Sequence, residues 1–501
     1  MSSTETLTRR SVKQDSEHFE VLIVGAGISG IGSAYHLQVQ CPGKSYLILE
    51  NQESFGGTWL THKYPGIRSD SDLFTFGYRF KPWIGAPIAS AAEILTYLEE
   101  VIEENHIDRN IRYGHKIMKA SWSSAENLWT VEAVRGETGE TVKFTANFLW
   151  MCQGYYRHEC GYTPEWEGMG DFKGKIVHPQ EWPEDLDYKG KKVVVIGSGA
   201  TAATVVPAMA SDCEHISILQ RSPTYFFPAP NENELVNRLR SLELEETWIH
   251  EIARRQILTD RIELNRRCVE ESEAVKDELI DMVRQQLGPD YDIKKHFTPR
   301  YRPWRQRVAA IPDGDLFKGI VSGKASMVTD EIVRFTENGI ALESGEQLVA
   351  DIIVTATGFD LCVLGDIDFS IDGKPLDFGE TVTYRGMMFT GVPNMAWVFG
   401  YFRASWTLRV DLLGDFVCRM LNHMNERGAN KISVALRPED HNMELSSWMD
   451  PEDFNPGYLL RNMHLLPKRG DKPEWQHTQD YWSEKDDLPA TDLDASEFVY
   501  E

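Results

Sequence analysis

The chain has 501 residues, 42% hydrophobic and 26% charged, which is ordinary globular material with core enough for about two to four domains. Its net charge of −25 argues against nucleic acid or an anionic membrane as partner, since both would repel it, and otherwise reads as a device for solubility. Seven scattered cysteines, with no CxxC pair and no metal-ligand spacing, exclude a disulfide framework and a metal centre and suit a reducing, cytoplasmic compartment. Residues 1–18 lack an apolar run and read as a disordered lead rather than a secretory signal, and no stable membrane insertion is expected without an unbroken apolar stretch of about 18 residues.

The first structured unit is "FEVLIVGAGISGIGSAYHLQVQCPGKSYLILE", read as strand (Phe19 to Val24), turn, helix and strand (Ser45 to Leu49). Gly25, Gly27 and Gly30 form a GxGxxG turn. The first glycine permits the tight bend, the second lets the backbone approach a pyrophosphate at the helix N-terminus, and the third lets helix and strand pack closely. Glu50, at the end of the second strand, can accept hydrogen bonds from ribose hydroxyls. The glycines alone are a weak signal; the whole unit with its terminal acid predicts a dinucleotide site. The glycine- and aromatic-rich segment that follows suits FAD better than a nicotinamide nucleotide.

The unit recurs in "KKVVVIGSGATAATVVPAMASDCEHISILQRSPTY". Strands are expected at Lys192 to Ile196 and Ile216 to Gln220, joined by the turn Gly197-Ser198-Gly199-Ala200-Thr201 and a helix. Glu50 lies 25 residues after Gly25, and Arg221 lies 24 after Gly197, so the slot that holds an acid in the first unit holds a base in the second. A guanidinium suits a 2′-phosphate, Ser222 adds a donor, and the second nucleotide is read as NADPH rather than NADH. FAD plus NADPH means a flavoprotein oxidoreductase. Disulfide reductases place a cysteine pair beside the flavin and none is close here, which leaves O2 as the common electron acceptor.

Two longer patterns carry a family resemblance. "FKGKIVHPQEWP" supplies Phe172, Gly174, His178, Trp182 and Pro183; "GGTWLTHKYPGIRSD" supplies Gly56, Gly57, Trp59, Tyr64, Pro65, Gly66 and Asp70. With these the chain, from about Phe19 to about Pro467, resembles the class B flavoprotein monooxygenases, and within them the type I Baeyer–Villiger monooxygenases. "YPGIRSDSD", "HPQEWPEDLDY" and "GSGATA" resemble most the subgroup of the ethionamide-activating monooxygenase. The related flavin-containing monooxygenases carry Phe or Tyr where Trp182 stands.

The resemblance implies oxidation of a ketone to an ester or lactone, with sulfoxidation as a side activity. One permanent cation would stabilise an anionic oxygen adduct of the reduced flavin. The match is Arg307 in "YRPWRQRVAAIPDGDLF", with Arg302 and Arg305 as rivals, and Asp70 as its buried partner unless Asp70 instead caps a helix. Many family members have Lys-Arg-Pro where this chain has Gln306-Arg307-Val308, which puts one NADP phosphate contact in doubt and leaves it to Arg221 and Ser222. Ser29, Gly57, Thr58 and Trp59 are implied cofactor contacts, and Arg68 and Ser69 would face the nicotinamide. Phe172, Gly174, His178 and Trp182 would mark the hinge between domains, His178 either relaying cofactor-driven motion or serving as a structural linker.

The fold class is α/β: two doubly wound Rossmann-like dinucleotide-binding domains. The FAD domain is expected over 19–150 and 345–470, the NADP domain over 151–230 and 290–344. A helical insertion over 231–289, free of Gly and Pro up to Leu287, would cap the substrate entrance or stabilise the fold or a subunit contact. Residues 471–501 read as an acidic C-terminal tail. The expected partners are O2 and a small ketone or sulfide, with linear aliphatic ketones and thioether- or thioamide-like sulfur favoured, and the oligomeric state stays open. Two other functions fit the same nucleotide units: N- or S-oxygenation by a flavin-containing monooxygenase, and a non-catalytic NADPH-sensing flavoprotein.

Overall fold

The computed structural model describes residues 16–501. The strand β1 (Glu17–Val24) begins inside the stretch expected to be a disordered lead, so that boundary moves back to Glu17; residues 1–15 of the lead lie outside the described residues. Val21, Leu22 and Ile23 have no solvent exposure, as expected of a strand covered on both faces. The chain continues through α1 (Ile28–Gln40), β2 (Tyr46–Leu49), the short helices α2 (Thr58–Thr61) and α3 (Leu73–Phe76), and α4 (Ala91–Glu104). Ser90 and Glu93 close a reciprocal capping box at the start of α4. Then come β3 (Ile111–Arg112), β4 (His115–Ser123), β5 (Leu128–Arg135) and β6 (Thr141–Met151). β1 pairs in parallel with both β2 and β6, and β4, β5 and β6 form an antiparallel meander. Asp368–Ile371 extends the sheet in parallel beyond β4, and Met395–Trp397 adds to β6. The helix Trp406–Arg427 lies against α1. A side chain at Gly414 would collide with His36, whose Nε2 sits 3.0 Å from the Asp411 carboxylate.

β7 (Tyr156–Gly161) pairs with Phe359–Leu361, and the two form the double crossing between the halves of the molecule. The second sheet holds β8 (Lys175–Val177), β9 (Lys192–Ile196), β10 (His215–Gln220), β13 (Ala325–Thr329) and β17 (Ile352–Thr355), all parallel, in the order β13-β10-β9-β17-β8. The helix α5 (Ala200–Ala210) joins β9 to β10, and β11 (Tyr225–Ala229) pairs in parallel with β12 (Val308–Pro312). A small antiparallel sheet of β14 (Ile332–Thr336), β15 (Gly339–Leu342) and β16 (Gln347–Val349) packs with Phe172 and Val194. Two expectations change here. The stretch from 345 was assigned to the FAD domain, but β17, apolar and buried, is an inner strand of the second sheet, so the return crossing falls after Thr355. The segment read as a hinge contributes β8, an edge strand, before reaching His178.

The insertion is three helices, α6 (Glu234–Ser241), α7 (Glu246–Glu270) and α8 (Ser272–Leu287), broken at Glu243, which has φ +59°, and at Glu271. α8 supplies Ile280 and Val283 to the core of the second sheet. α7 supplies Ile249 and Ala253 to the core of the first. From α7, Nη1 of the buried Arg254 donates to the carbonyls of Phe74, Thr75 and Gly77 at 3.1, 3.1 and 2.9 Å. The insertion therefore bridges both halves.

Residues 471–501 are not a tail. Trp475 and Leu488 are buried, and Phe498–Tyr500 pairs antiparallel with Ile432–Val434. In the helix Tyr481–Ala490, Glu484 accepts from Arg409 Nε at 2.8 Å and from the Tyr401 hydroxyl, with both charged side chains out of solvent. Among the described residues, no helix is long and apolar enough to cross a membrane, and no group of three or more His, Cys, Asp or Glu is placed to hold a metal ion.

Candidate active site

A cavity of about 1390 Å³ is lined by both glycine turns, both crossings and the loop before β12. Gly25 has φ +98°, and a Cβ there would stand 2.9 Å from the Cys152 carbonyl oxygen; one at Gly30 would stand 1.9 Å from the Gly25 oxygen. Gly25 and Gly30 thus shape the turn, and Gly27 and Ser29 line the cavity. A Cβ at Gly27 would lie 3.6 Å from the Gly57 Cα, so two backbone segments frame the opening. No side chain caps α1 or α5, which leaves their first-turn N–H groups for an anionic ligand. Glu50 is buried, its oxygens accepting from Ala26 N at 2.7 Å and Gln52 N at 2.8 Å, with further lone pairs free for ribose hydroxyls. Burial outweighs these hydrogen bonds and raises its pKa.

The second turn repeats the geometry. Gly197 has φ +113°, with Ala356 O at 2.3 Å from an added Cβ, whereas a Cβ at Gly199 would meet nothing within 4 Å. Ser198, Gly199, Ala200 and Thr201 line the cavity, as do the exposed Arg221 and Ser222. Two backbone cradles, one ending in an acid and one in a base, fit two different dinucleotides.

Between them lies Arg307. Its Nη1 donates to Asp70 Oδ2 at 3.1 Å, and the two side chains are 34% and 39% exposed. Asp70 is therefore not the buried carboxylate expected; both groups open onto the cavity. Burial pulls the Arg307 pKa down, but Asp70, then the phenols of Tyr458, Tyr155 and Tyr156, pull harder, and the guanidinium titrates well above its ordinary range. It is a permanent cation. The cap of α3 is Asp72, whose carboxylate accepts from Phe74 N at 2.9 Å, and not Asp70. The rivals are engaged elsewhere: Arg302 pairs with Asp453 at 2.7 Å and Arg305 with Glu452 at 2.8 Å, and neither lines the cavity.

Thr58, Trp59 and Gly57 line the cavity as expected, and so does Arg68, but its guanidinium is held by Asp315 at 2.5 and 3.3 Å. Ser69 does not reach the wall. It is buried, and its hydroxyl accepts from Ala89 N at 3.3 Å, fixing a loop. Phe172, Gly174, His178 and Trp182 also stand outside the cavity. Phe172 packs in the core around the small sheet, and Trp182 against that of the second sheet. A Cβ at Gly174 would lie 2.2 Å from the Asp351 oxygen. His178 Nδ1 accepts from Gln180 N at 3.1 Å, which leaves Nε2 as the donor to Gly358 O, also at 3.1 Å. Burial lowers its pKa, and the neutral ring clasps the hinge to the return crossing.

The sequence reading did not single out His62, Tyr155, Tyr156, Phe359, Trp406 and Tyr458 as wall residues. They come from separate segments, and only the run of aromatic residues around both crossings hinted at them.

Comparison with known proteins places this geometry. Residues 23–82 match the family described as NAD(P)-binding Rossmann-like domain, and residues 90–294 match L-lysine 6-monooxygenase/L-ornithine 5-monooxygenase. The FAD-containing monooxygenase EthA of Mycolicibacterium smegmatis is 47% identical over 472 residues, covering 93% of this chain and 94% of the relative. This chain belongs to the EthA family of FAD-containing monooxygenases. Another relative of the EthA-family chain, the putative FAD-containing monooxygenase MymA of Mycobacterium tuberculosis, is 44% identical over 94% of each chain. Among solved structures, an oxidized steroid monooxygenase bound to NADP superposes with TM-score 0.74 at 21% identity, covering 96% of this chain and 99% of the other. OTEMO in complex with FAD and NADP gives TM-score 0.76 at 20% identity, over 97% and 100%. These two likenesses establish a shared fold.

Proposed function

We propose that this EthA-family flavin monooxygenase carries out Baeyer–Villiger oxidation, converting a ketone to an ester or lactone, with sulfoxidation as a side activity. Its cofactors are FAD and NADPH. The observation that carries the reading is the Arg307–Asp70 pair, a permanent cation opening onto a cavity shared by two dinucleotide cradles. In the overall balance, NADPH and a proton supply the reducing equivalents. One atom of O2 enters the bond between the carbonyl carbon and its neighbour, and the other leaves as water. The flavin supplies the oxygen-activating chemistry once reduced.

The protein's part is electrostatic and positional. Gly25, Gly27, Ser29 and Glu50, with Gly57, Thr58 and Trp59, would hold FAD; Gly197 to Thr201, Arg221 and Ser222 would hold NADPH. Arg307 would stabilise the negative oxygen that develops as the carbonyl is attacked, and Asp70 would orient the guanidinium through its 3.1 Å bond. A fixed charge is worth most where water is thinned, and the cavity's aromatic walls supply that setting. Trp182 at the hinge supports this reading over N-oxygenation by the related flavin-containing monooxygenases. The test is NADPH consumption in air across a panel of linear ketones, with products identified by mass. Ketone-stimulated consumption with a product 16 mass units heavier, one added oxygen, is the expected result; no consumption with any ketone, alongside normal FAD binding, points to the non-catalytic sensor.

A further inference from the structure

Residues 400–406 form one wall of the cavity, lined there by Tyr401, Ala404 and Trp406. The Trp406 indole donates Nε1 to Ser29 Oγ at 2.8 Å, in the first turn of α1 beside the FAD cradle. The same ring lies against Gly400, where an added Cβ would stand 2.3 Å from it. Between these points Arg403 donates Nε to the Trp304 carbonyl at 3.3 Å and Nη2 to that of Asp453 at 2.7 Å. Trp304 stands three residues ahead of Arg307 in the loop before β12. This wall therefore ties the FAD cradle to the loop that carries Arg307.

Up to Ser405 the wall is neither helix nor strand, so its backbone groups need partners from elsewhere. The C-terminal stretch supplies them. Gln479 Oε1 accepts from Phe402 N at 2.6 Å, and its Nε2 donates to Gly400 O at 3.0 Å. One side-chain amide thus grips the backbone on both sides of Tyr401, and it fits one way round only, since a flipped amide would set donor against donor. Glu484 accepts from the Tyr401 hydroxyl, and Arg409, paired with Glu484, donates to Phe399 O at 2.7 Å. Gln479 holds φ +55°, a backbone conformation uncommon outside glycine and kept only where the surroundings fix it.

We propose that Gln479 is a positioning residue for oxygen transfer: by holding this wall it sets the placement of the FAD cradle against Arg307, and with it the share of NADPH oxidation that ends in product. The proposal rests on the oxygenation reading above and deepens it. Oxidation that misses the ketone balances as NADPH, a proton and O2 giving NADP+ and hydrogen peroxide. The experiment uses full-length, FAD-loaded protein with NADPH, air and 2-octanone, and counts ester and hydrogen peroxide per NADPH oxidised. Visible circular dichroism of the bound oxidised flavin, without NADPH or ketone, reads the cradle independently of activity. Gln479→Asn suits φ +55° and so keeps the fold, but its amide is one carbon too short for either bond. Ester per NADPH should fall about tenfold, less than the roughly 10²-fold that a full 1 Å misplacement can cost, with hydrogen peroxide making up the difference and the flavin dichroism altered. Gln479→Glu keeps the acceptor for Phe402 N and should fall between the variant and wild type. An unchanged ester fraction with unchanged dichroism would overturn the proposal. So would a lower melting temperature with ester and NADPH oxidation declining in step, which would make the residue a general support. FAD loss with a normal ester fraction once FAD is restored would assign it to cofactor retention and likewise overturn it. Wild-type protein that forms no ester from any ketone would contradict the oxygenation reading and this proposal together. A well-coupled wild type matched by an equally coupled Gln479→Asn would contradict this proposal alone.

Discussion

Arg307 can do what is proposed of it because its charge cannot be removed: its own burial pulls its pKa down, and a carboxylate and three phenols overcompensate. Replacing it with alanine should cut ester formation by about 10² to 10³, the size found when a donor aimed at developing charge is lost, while NADPH is still oxidised. Asp70→Asn keeps the shape and loses the charge, and a drop of about tenfold in kcat with KM for NADPH unchanged is expected, measured by steady-state kinetics. Arg221→Ala should raise KM for NADPH about 10- to 100-fold and leave that for NADH unchanged. At this scale the sequence was informative where chemistry needs a fixed spacing. The glycines, Glu50 and Arg221 could be found because a turn, an acid and a base recur at set intervals. Arg307 was the match in the sequence, and its rivals Arg302 and Arg305 fell away once the structure placed them on Asp453 and Glu452. Tyr458 and His62 answer to no motif, since folding alone brings them to the wall. Ser69 was assigned to the nicotinamide by the resemblance alone, yet its side chain is buried and fixes a loop through Ala89 N, while Arg68 and Asp70 on either side line the cavity.

Elements were legible where apolar runs were long, as in β1, β9 and β10, and misleading where charge masked anchors. The C-terminal stretch looked like a solvated tail, yet Trp475, Leu488 and Phe498 are buried and Glu484 forms a closed ion pair with Arg409. Aromatic residues in so acidic a segment were the available signal. Removing one partner of a buried pair strands the other charge, so Glu484→Ala should destabilise by about 3–5 kcal/mol, seen as a lower midpoint in thermal or urea unfolding. Truncation at Gly470 should fail to give folded protein. A mild effect in both variants would return the segment to the status of a tail. The insertion, too, was legible as helix but not as a bridge, because Arg254 reveals its role only through three carbonyls on another element.

The whole molecule is two sheet units, the first mixed and the second wholly parallel, clasped by paired crossings, a helical bridge and a C-terminal wrap, with the cavity where the units meet. Its stability should depend on acid in a definite direction. Burial holds His62 and His250 neutral, with pKa values of about 4 against an ordinary 6.5. Between those values the unfolded chain takes up protons that the folded chain refuses, so stability falls as pH drops through that window. Asp72, pushed up to about 6 by burial, acts the other way, because the folded chain then holds the proton more tightly than the unfolded. His158, His178 and His296, all lowered by burial, add to the loss. The melting temperature should decline from pH 7 to pH 5, and a rise would contradict the assignment of these rings as neutral. The measurement that bears most directly on the central claim is product analysis under 18O2 with NADPH and 2-octanone, comparing wild type with Arg307→Ala. The wild type should form an ester carrying one heavy oxygen, and the variant should consume NADPH and release hydrogen peroxide without ester. Labelled ester from the variant at the wild-type rate would remove Arg307 from the chemistry.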